Sequence, residues 1–367
     1  MNTNKISLCQ AICLILIITI NRLSINIPQS ILIPMGSSSI LNIIYVCLIA
    51  IIFTLIIVNL FKKFPGKDIV DVSEFLGGNV FKYIVGIFIC INIVLVASIL
   101  LRDFVEVVHI IYYSDTPIIF MLFFFIAVCI IANLFGGQSI LKTNVIITIL
   151  MVVSLLITFA SVIPNLTVQR IFPILGYGTY KTFFTGISSI FAFNGLSILY
   201  LVPSIVYSGK NFRKASTIAV IIASILIVLA TASSLLAFSF SIIIEKISPL
   251  YMLLSNNEFG RYLQHPESIF LFTWILSFMS YLNISCMLIV YILKKLTKVK
   301  NAKPFSIAIG VVFFIIALIP KNILQTRDAG SFISKYVSIP ITFIIFPIIL
   351  ILANLKLKKM KPMEKEW

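Results

Sequence analysis

The chain has 367 residues, of which 60% are hydrophobic and 11% are charged, and its formal net charge is +16. Soluble domains are about 45–50% apolar and about 25% charged, so this composition excludes an ordinary soluble domain, a disordered chain and a nucleic-acid-binding module. Because a membrane-spanning helix needs about 20 mostly apolar residues, the apolar content predicts an integral membrane protein with roughly ten spans.

Ten apolar runs are long enough to be spans, and they fall into two halves of five. They cover residues 7–34, 40–60, 80–109, 117–134, 143–163, 179–207, 214–244, 267–294, 305–325 and 338–356. We expect one all-α membrane domain over 1–367, with a first repeat at 1–163, a second at 179–356 and a basic tail at 357–367. The loop 245–266 is partly amphipathic and predicts a short interfacial helix, and 61–79 is a second candidate.

Lysine and arginine are unevenly distributed between the loops. If the amino terminus is inside, 19 of the 28 basic residues fall in inside segments, seven in outside segments and two within spans. Basic residues collect in cytoplasmic loops. The asymmetry therefore predicts that both termini are cytoplasmic, which requires an even number of spans.

The first span is interrupted by Asn21, Arg22, Ser24, Asn26 and Pro28. Polar groups at membrane depth are costly unless they face protein or a cavity, and proline removes a backbone donor. Two interpretations are open at this point: a kinked helix with hydrogen-bonded asparagines, or an unwound segment that lines a cavity.

The sixth span is interrupted in the same way around Asn194 and Gly195, where glycine permits unusual dihedral angles. Interrupted helices at corresponding places in two halves point to a transporter-type binding site, so the pair favours the cavity interpretation. The candidate ligand-binding residues are Asn21, Ser24, Asn26, Asn92, Phe193, Asn194, Gly195, Ser197, Tyr200 and Asn283.

Four charged or titratable residues fall close together in the third span: Arg102, Asp103, Glu106 and His109. Arg102, Glu106 and His109 share one helix face. At 1.5 Å per residue, the cluster lies near the outer interface. We favour a structural arginine–carboxylate network there, with an outer gate as the second interpretation and a proton relay as the third.

Motifs for catalysis and cofactor binding are missing from the sequence. There is no phosphate-binding G-x-x-x-x-G-K-[ST] loop, no H-E-x-x-H and no G-x-S-x-G with triad partners. The two histidines disfavour a histidine-based metal site, and none of the six cysteines forms a C-x-x-C pair. We therefore expect neither an enzyme nor a bound metal or cofactor.

Residues 61–86 read FKKFPGKDIVDVSEFLGGNVFKYIVG, and this stretch is recognisable. It resembles the B subunit of bacterial spore germinant receptors (GerAB/GerKB type), which belongs to the amino acid–polyamine–organocation transporter superfamily. The similarity extends over essentially the whole chain. Its motif residues in the cytoplasmic loop are Pro65, Gly66, Lys67 and Glu74, and further matches include Arg102, Asp103, Glu106, Arg170 and Glu267 to Trp274.

The resemblance implies ten helices in two inverted five-helix repeats, with helices 1 and 6 broken around a small germinant, commonly an amino acid. It also implies a receptor A subunit and a C lipoprotein as partners in the spore inner membrane. One departure is His265, which stands where family members often carry arginine. Any role of that arginine is in doubt for this chain.

Three functions are therefore in competition. The first is a receptor subunit that binds a small nutrient between the first, third, sixth and eighth spans and triggers spore germination with its partners. The second is an ion- or proton-coupled amino-acid transporter with the same fold. The third is a structural membrane anchor of the complex without a ligand of its own.

The charge asymmetry makes a testable prediction about topology. Tags placed at Met1 and at Trp367 should both be inaccessible to an impermeant probe applied from outside and accessible after permeabilisation, because basic loops stay in the cytoplasm. A tag at either terminus that reacts in intact cells would contradict the ten-span topology.

Overall fold

The computed structural model describes residues 5–206, 208–239, 242–243, 248–255 and 266–360. Its helices are α1 (Leu8–Ile20), α2 (Ile27–Met35), α3 (Ser39–Phe61), α4 (Ile69–Ile111), α5 (Ile118–Phe135), α6 (Gly137–Val162), α7 (Thr179–Phe183), α8 (Val202–Ile205), α9 (Gly209–Ala237), α10 (Pro249–Ser255), α11 (Pro266–Thr297), α12 (Phe305–Leu318), α13 (Ile323–Ile333) and α14 (Phe346–Met360). His265 and most of the predicted interfacial helix at 245–266 lie outside the described residues, as does the tail beyond residue 360.

Apolar helices dominate the described part of the chain. Eight helical stretches there are long and apolar enough to cross a membrane, and two shorter apolar helices, Leu8–Leu23 and Phe305–Leu318, accompany them. The chain is thus a multi-pass, all-helical membrane protein, and the predicted fold class is confirmed. The division into repeats at 1–163 and 179–356 stays a prediction.

The first span is broken where the sequence predicted. Helix α1 ends at Ile20, a 3-10 turn covers Asn21–Ser24, and α2 begins at Ile27. Asn26 caps α2 with a φ of −149°, and Pro28 occupies its first turn, where a missing backbone donor costs least. Polar side chains and proline together therefore replace one continuous helix by two half-helices.

The sixth span is irregular over a longer stretch than the sequence indicated. A 3-10 helix runs from Thr185 to Tyr200 between α7 and α8, although such helices rarely exceed a few residues. The Asn42 side chain of α3 stabilises its start by donating to the carbonyls of Thr182 and Gly186 at 2.8 and 3.0 Å. Carbonyls that the tighter winding leaves without α-helical partners are thereby satisfied.

The tenth span, expected at 338–356, extends over Ile323–Lys359 in the structure, and it also departs from α geometry. Between α13 and α14 it winds as π-helix over Ser334–Ser338 and Ile341–Ile345, on either side of Pro340. Proline cannot donate a backbone hydrogen bond, which favours a local change of winding. Such π segments are frequent at functional sites.

The third span starts in the loop that carries the family motif. Gly66 has a φ of +72° in the turn before α4, and Gly78 has a φ of +71° at a kink within it. Both values suit glycine. Glu74, before the kink, pairs with Lys82, after it, at 2.7 Å. The predicted helix at 61–79 is therefore a kinked amino-terminal extension of the third span.

A buried ionic cluster joins three spans at the end of the bundle that carries this loop, which we call the basic end. Asp68, fully buried at the amino terminus of α4, lies 2.6 Å from Lys295 of α11. It also accepts a hydrogen bond from the Tyr291 hydroxyl at 2.7 Å. Lys295 pairs in addition with Asp71 at 2.6 Å, and Ser204 of the sixth span contacts Tyr291 at 2.8 Å.

The broken spans meet at the basic end as well. The backbone nitrogen of Ile6, just before α1, donates to the carbonyl of Ile205 at 2.9 Å, and Ile6 and Val206 form an isolated parallel bridge. The start of the first span and the end of the sixth are thereby fixed to one another next to the Asp68 cluster.

Removing the lysine of this cluster should destabilise the fold. Lys295→Met leaves the Asp68 carboxylate buried without its cation, which costs about 3 kcal/mol in the free energy of unfolding. We expect less protein in the membrane and a lower unfolding temperature, with partial recovery in Asp68→Asn/Lys295→Met. The exposed Lys300→Met is the control. Equal unfolding temperatures for Lys295→Met and the wild type would contradict a stabilising pair.

Candidate functional site

Two cavities lie side by side at the break in the first span. The inner cavity has a volume of about 50 Å³, and none of its lining residues belongs to the exposed surface. Its walls come from the first, third, sixth, eighth and tenth spans: Ile18, Arg22, Ile89, Asn92, Ile93, Val96, Leu100, Asn194, Gly195, Ser197, Ile198, Leu201, Tyr281, Ser285, Leu288, Ser338 and Phe346. The pocket is mostly aliphatic with a few polar groups, which is typical of a small-molecule site.

The outer cavity is larger and more polar, with a volume of about 240 Å³. Exposed residues form part of its wall, among them Ser188, Ser331 and Lys335. It is lined by Arg22, Asn26, Ser30, Val96, Ile99, Leu100, Asp103, Ser188, Phe191, Thr326, Arg327, Gly330, Ser331, Ile333, Ser334, Lys335 and Ile339. The outer cavity lies toward the end of the bundle opposite the basic end. Residues of α13, where the tenth span begins, line it, whereas the other end of that span reaches the basic end at Lys356.

Arg22 lines both cavities and forms part of their boundary. It belongs to the 3-10 turn that breaks the first span. Its Nη1 donates to the Ser334 hydroxyl at 3.0 Å, and Ser334 opens the first π segment of the tenth span. The two irregular segments are thus connected through this guanidinium.

Asn194 is the most distinctive polar group of the inner cavity. The residue is 6% exposed, and neither its Oδ1 nor its Nδ2 has a hydrogen-bond partner in the structure. A buried amide without partners carries an uncompensated desolvation cost of about 1–3 kcal/mol. Ser197 lines the same cavity one helical turn further on. The break in the sixth span therefore presents donors and acceptors to whatever enters.

The opposite wall of the inner cavity is polar as well. Asn92 of α4 accepts a hydrogen bond from Ser338 of the tenth span at 2.8 Å. Tyr281 and Ser285 of α11 line the same cavity. These groups come from the third, eighth and tenth spans, so a ligand in the cavity would contact all three of these spans.

An ion pair spans the outer cavity. The Nε of Arg327 lies 3.6 Å from Asp103 Oδ1, and Arg327 Nη1 donates to Gln29 Oε1 at 3.2 Å. Asn26 Nδ2 donates to Asp103 Oδ2 at 3.2 Å. The first, third and tenth spans are therefore connected at this level by one carboxylate and one guanidinium.

Several predicted ligand-binding residues pack around the cavities and do not line them. Asn21 donates to the carbonyl and the hydroxyl of Ser277 in α11, at 3.1 and 3.2 Å. Tyr200 donates to the carbonyl of Thr342 at 2.7 Å, where π winding leaves that carbonyl available. Both side chains thus form hydrogen bonds within the protein next to irregular segments, and these bonds stabilise the contacts between spans.

Two other candidates also fall outside the cavity walls. Phe193 is fully buried, and its ψ of 18° marks the kink of the 3-10 helix. Asn283 receives a hydrogen bond from Asn133 on its backbone carbonyl at 3.2 Å, which places it toward α5. Of Ser24 the structure describes the backbone alone, at the end of the 3-10 turn. Asn26, Asn92, Asn194, Gly195 and Ser197 do line cavities.

The charged cluster of the third span separates into three groups. Arg102 and Glu106 form a buried pair at 2.5 Å within α4. His109 Nδ1 lies 2.9 Å from the carbonyl of Tyr113, at the end of the helix. Asp103 faces the outer cavity. Arg102 and Glu106 thus pair with each other, His109 contacts only backbone, and Asp103, outside their face, is the residue at the outer cavity.

The motif residues of the loop before α4 and of its first turns lie close to the basic end. Pro65, Gly66 and Lys67 are exposed in the turn before Asp68, and Glu74 pairs with Lys82. The motif residues therefore form the turn and the first helical turns on either side of Asp68. None of these residues lines either cavity.

Sequence reasoning missed many cavity residues, among them Arg22, Tyr281, Ser285, Arg327 and Ser338. Arg22 was visible as a charge within a span, which by itself indicates a functional site. Ser285 and Ser338 carried no such signal, because serine often bonds to its own helix backbone and is tolerated in apolar spans.

The comparisons with known proteins agree with this architecture. A family model described as "Spore germination protein" matches residues 5–326. No curated protein is significantly similar to the chain in sequence. Among solved structures, the chain is similar to one described as the substrate-bound outward-open state of a Na+-coupled sialic acid symporter, at a TM-score of 0.64 and 14% identity, over 91% of this chain and 77% of that one. This likeness shows a transporter fold.

The contact between the two breaks makes a prediction for Gly195. A Cβ on this residue would lie 2.7 Å from the carbonyl oxygen of Ile18 and 2.7 Å from Thr19 Cα, both of which are backbone atoms. Gly195→Ala should therefore separate the first and sixth spans and destabilise the protein by about 1–3 kcal/mol. The measurement is the unfolding temperature of the purified protein.

Gly209→Ala is the matched control, because no atom lies within 4 Å of the Cβ it adds. A side chain at 195 would therefore collide with the backbone of the first span. Equal stability of Gly195→Ala and Gly209→Ala would show that the breaks are not in close contact.

Proposed function

We propose, because the chain belongs to the spore germination protein family, that it is the membrane subunit of a spore germinant receptor. In this proposal it binds a small nutrient in the paired cavities and triggers germination through a receptor A subunit and a C lipoprotein in the spore inner membrane. Both termini face the cytoplasm. The family and the fold point to a receptor or a transporter rather than to an enzyme.

The observation that carries the proposal is the inner cavity with the unpartnered amide of Asn194. A space next to two helix breaks could be filled by apolar side chains at a gain in stability. Among its mostly aliphatic walls, this one carries the Asn194 amide, which has more hydrogen-bonding capacity than the protein uses. A small ligand with polar groups would satisfy that capacity.

Ion pairs toward the two ends of the bundle suggest how binding reaches the partners. Asp103 and Arg327 join spans on one side, and Asp68 and Lys295 join spans on the other. A ligand shifts the balance between conformations only by binding one of them more tightly. In our proposal, the occupied cavity favours the state in which the first, sixth and tenth spans close around the ligand, and the partner subunits respond to that state.

A second candidate function is an ion- or proton-coupled amino-acid transporter. It is favoured by the likeness to the structure described as a Na+-coupled sialic acid symporter, because secondary transporters commonly bind their substrates at interrupted helices. Uptake of labelled amino acids into proteoliposomes that contain the purified protein tests it. Uptake driven by a sodium or proton gradient would favour the transporter, and binding without uptake would favour the receptor.

The receptor proposal predicts the behaviour of Asn194→Ala. Because Asn194 has no partner in the protein, its removal costs no internal hydrogen bond, and the protein should accumulate normally. One hydrogen bond to the ligand is lost, about 0.5–1.5 kcal/mol, so the germinant concentration for half-maximal germination should rise roughly threefold to tenfold. The measurement is the dose–response of spores that carry the variant.

Asn133→Ala is the matched control, a buried asparagine whose Nδ2 donates to the backbone of Cys129 and of Asn283. It should lower protein abundance without a shift in the half-maximal concentration of the protein that remains. A parental dose–response for Asn194→Ala at normal abundance would contradict a ligand site at this break. It would favour an anchor without a ligand of its own.

A further inference from the structure

We infer that a groove between the third and tenth spans binds an anionic phospholipid, with one acyl chain in the groove and the phosphate headgroup at Lys356. The groove has a volume of about 330 Å³ and lies on the outside of the bundle, apart from the nutrient cavities. It is lined from α4 by Phe81, Val85 and Phe88 and from the tenth span by Ile345, Ile349 and Leu352. The inference therefore goes beyond the proposed function and does not depend on it.

The groove runs along the tenth span and ends at a lysine. Its lining residues on that span recur every three or four positions from Ile341 to Leu352, so they share one helix face over roughly 15 Å. The same face continues to Lys356, four residues beyond Leu352, and to Lys359. An apolar groove thus ends in positive charge at the basic end of the bundle.

The ammonium group of Lys356 has only neutral partners in the protein. It donates to the carbonyls of Phe75 and Leu76 at 2.9 and 3.0 Å, next to the kink in α4, and it lies 5.2 Å from the centre of the Phe75 ring. No carboxylate of the described residues pairs with it, and the side chain is exposed. A lysine has three donors, so one donor and the full charge are available to an anion.

Basic groups between spans at the membrane surface suit a lipid headgroup. Clusters of lysine and arginine at this depth attract anionic lipids, and basic pockets between helices bind their phosphate groups. Lys359 lies one helical turn beyond Lys356 and is exposed as well. Phe81 follows the α4 kink that Lys356 contacts, so the headgroup site and the groove are continuous on both walls.

The chemistry of the groove selects an acyl chain. All of its lining residues are isoleucine, leucine, valine or phenylalanine, so it offers no side-chain hydrogen bond to a polar ligand. At about 30 Å³ for each water-sized group, it has room for roughly ten methylene-sized groups. That is a large part of one acyl chain, which is flexible enough to follow the groove.

A transmembrane helix of a partner fits the groove less well. Helices associate in membranes through small residues such as glycine, alanine and serine, which let the two backbones approach closely. None of these residues lines the groove. A helix with its side chains is also about 10–12 Å across, so it would cover the groove without filling it.

Phe346 connects the groove to the nutrient cavities. The residue is 2% exposed, and it lines both the groove and the inner cavity. Its ring packs against Tyr200 of the sixth span, with 4.9 Å between the ring centres. An acyl chain in the groove would supply contacts that Phe346 otherwise lacks on that side. The bound lipid would therefore support the wall that separates the groove from the inner cavity.

Native mass spectrometry of the purified full-length protein tests the headgroup site. The protein is released from nanodiscs that contain equal amounts of phosphatidylglycerol and phosphatidylcholine with the same acyl chains. We expect the wild type to retain the anionic lipid at least about fivefold more often, which is the effect of one lysine at a membrane surface. Equal retention of the two lipids would overturn the inference.

Lys356→Gln should remove most of this preference. Lys214→Gln should keep it, because Lys214 is exposed on α9, which does not line the groove. A preference that is unchanged in Lys356→Gln would overturn the assignment of the headgroup to Lys356.

Two neighbouring isoleucines of the same π segment test the acyl-chain site. Ile344 and Ile345 are both exposed, and of the two only Ile345 lines the groove. Ile345→Trp should fill the groove and lower the retention of phosphatidylglycerol at least about fivefold, whereas Ile344→Trp should leave it unchanged. Equal retention by the two variants would show that the anionic headgroup binds without a chain in the groove, and it would overturn the inference.

Photocrosslinking in native membranes identifies the occupant directly. With benzoylphenylalanine at position 345, we expect a crosslink to phospholipid. A crosslink to a second protein in place of lipid would assign the groove to a partner helix and overturn the inference.

Discussion

Backbone groups in the core of a bilayer have no water to bond, and this constraint governs the whole fold. A span can be interrupted only where protein or a cavity satisfies the groups that the interruption frees. The break at Asn21–Ser24 therefore lies against the irregular sixth span, with Gly195 close to the carbonyl of Ile18. Asn21 binds Ser277 of the eighth span for the same reason. The two breaks support one another, and the cavities form where that support is incomplete.

Electrostatics divides the charged residues at membrane depth into two kinds. Arg102 and Glu106 neutralise each other within one helix, so they contribute to stability and leave no charge for a ligand. Arg22 has a hydroxyl partner instead of a carboxylate. An unpaired charge is far more costly than a paired one, and the Asp103 carboxylate, in the same cavity wall, lies close enough to Arg22 to lower that cost.

The sequence predicted the features that depend on local composition. Hydropathy gave the spans, and asparagine and proline gave the break at 21–26, because each of these signals lies within one segment. Contacts between segments that are distant in the sequence could not be predicted in this way. Nothing near Arg22 indicates that Ser334, 312 positions later, would bind it. Tyr200 was taken for a ligand residue, although its hydroxyl bonds to Thr342 in a π segment that local patterns did not predict.

The tenth span is the element through which events at the cavities can reach the rest of the protein. It contacts Arg22 through Ser334 and Asn92 through Ser338, and it carries Arg327 of the outer ion pair. Its π segments are less regular than α-helix, and a shift of one residue in their winding changes which hydroxyls face the cavity. At its far end, Lys356 donates to the carbonyls of Phe75 and Leu76, next to the kink of the third span. A change of winding next to the cavities would therefore be transmitted along the tenth span to the basic end of the bundle.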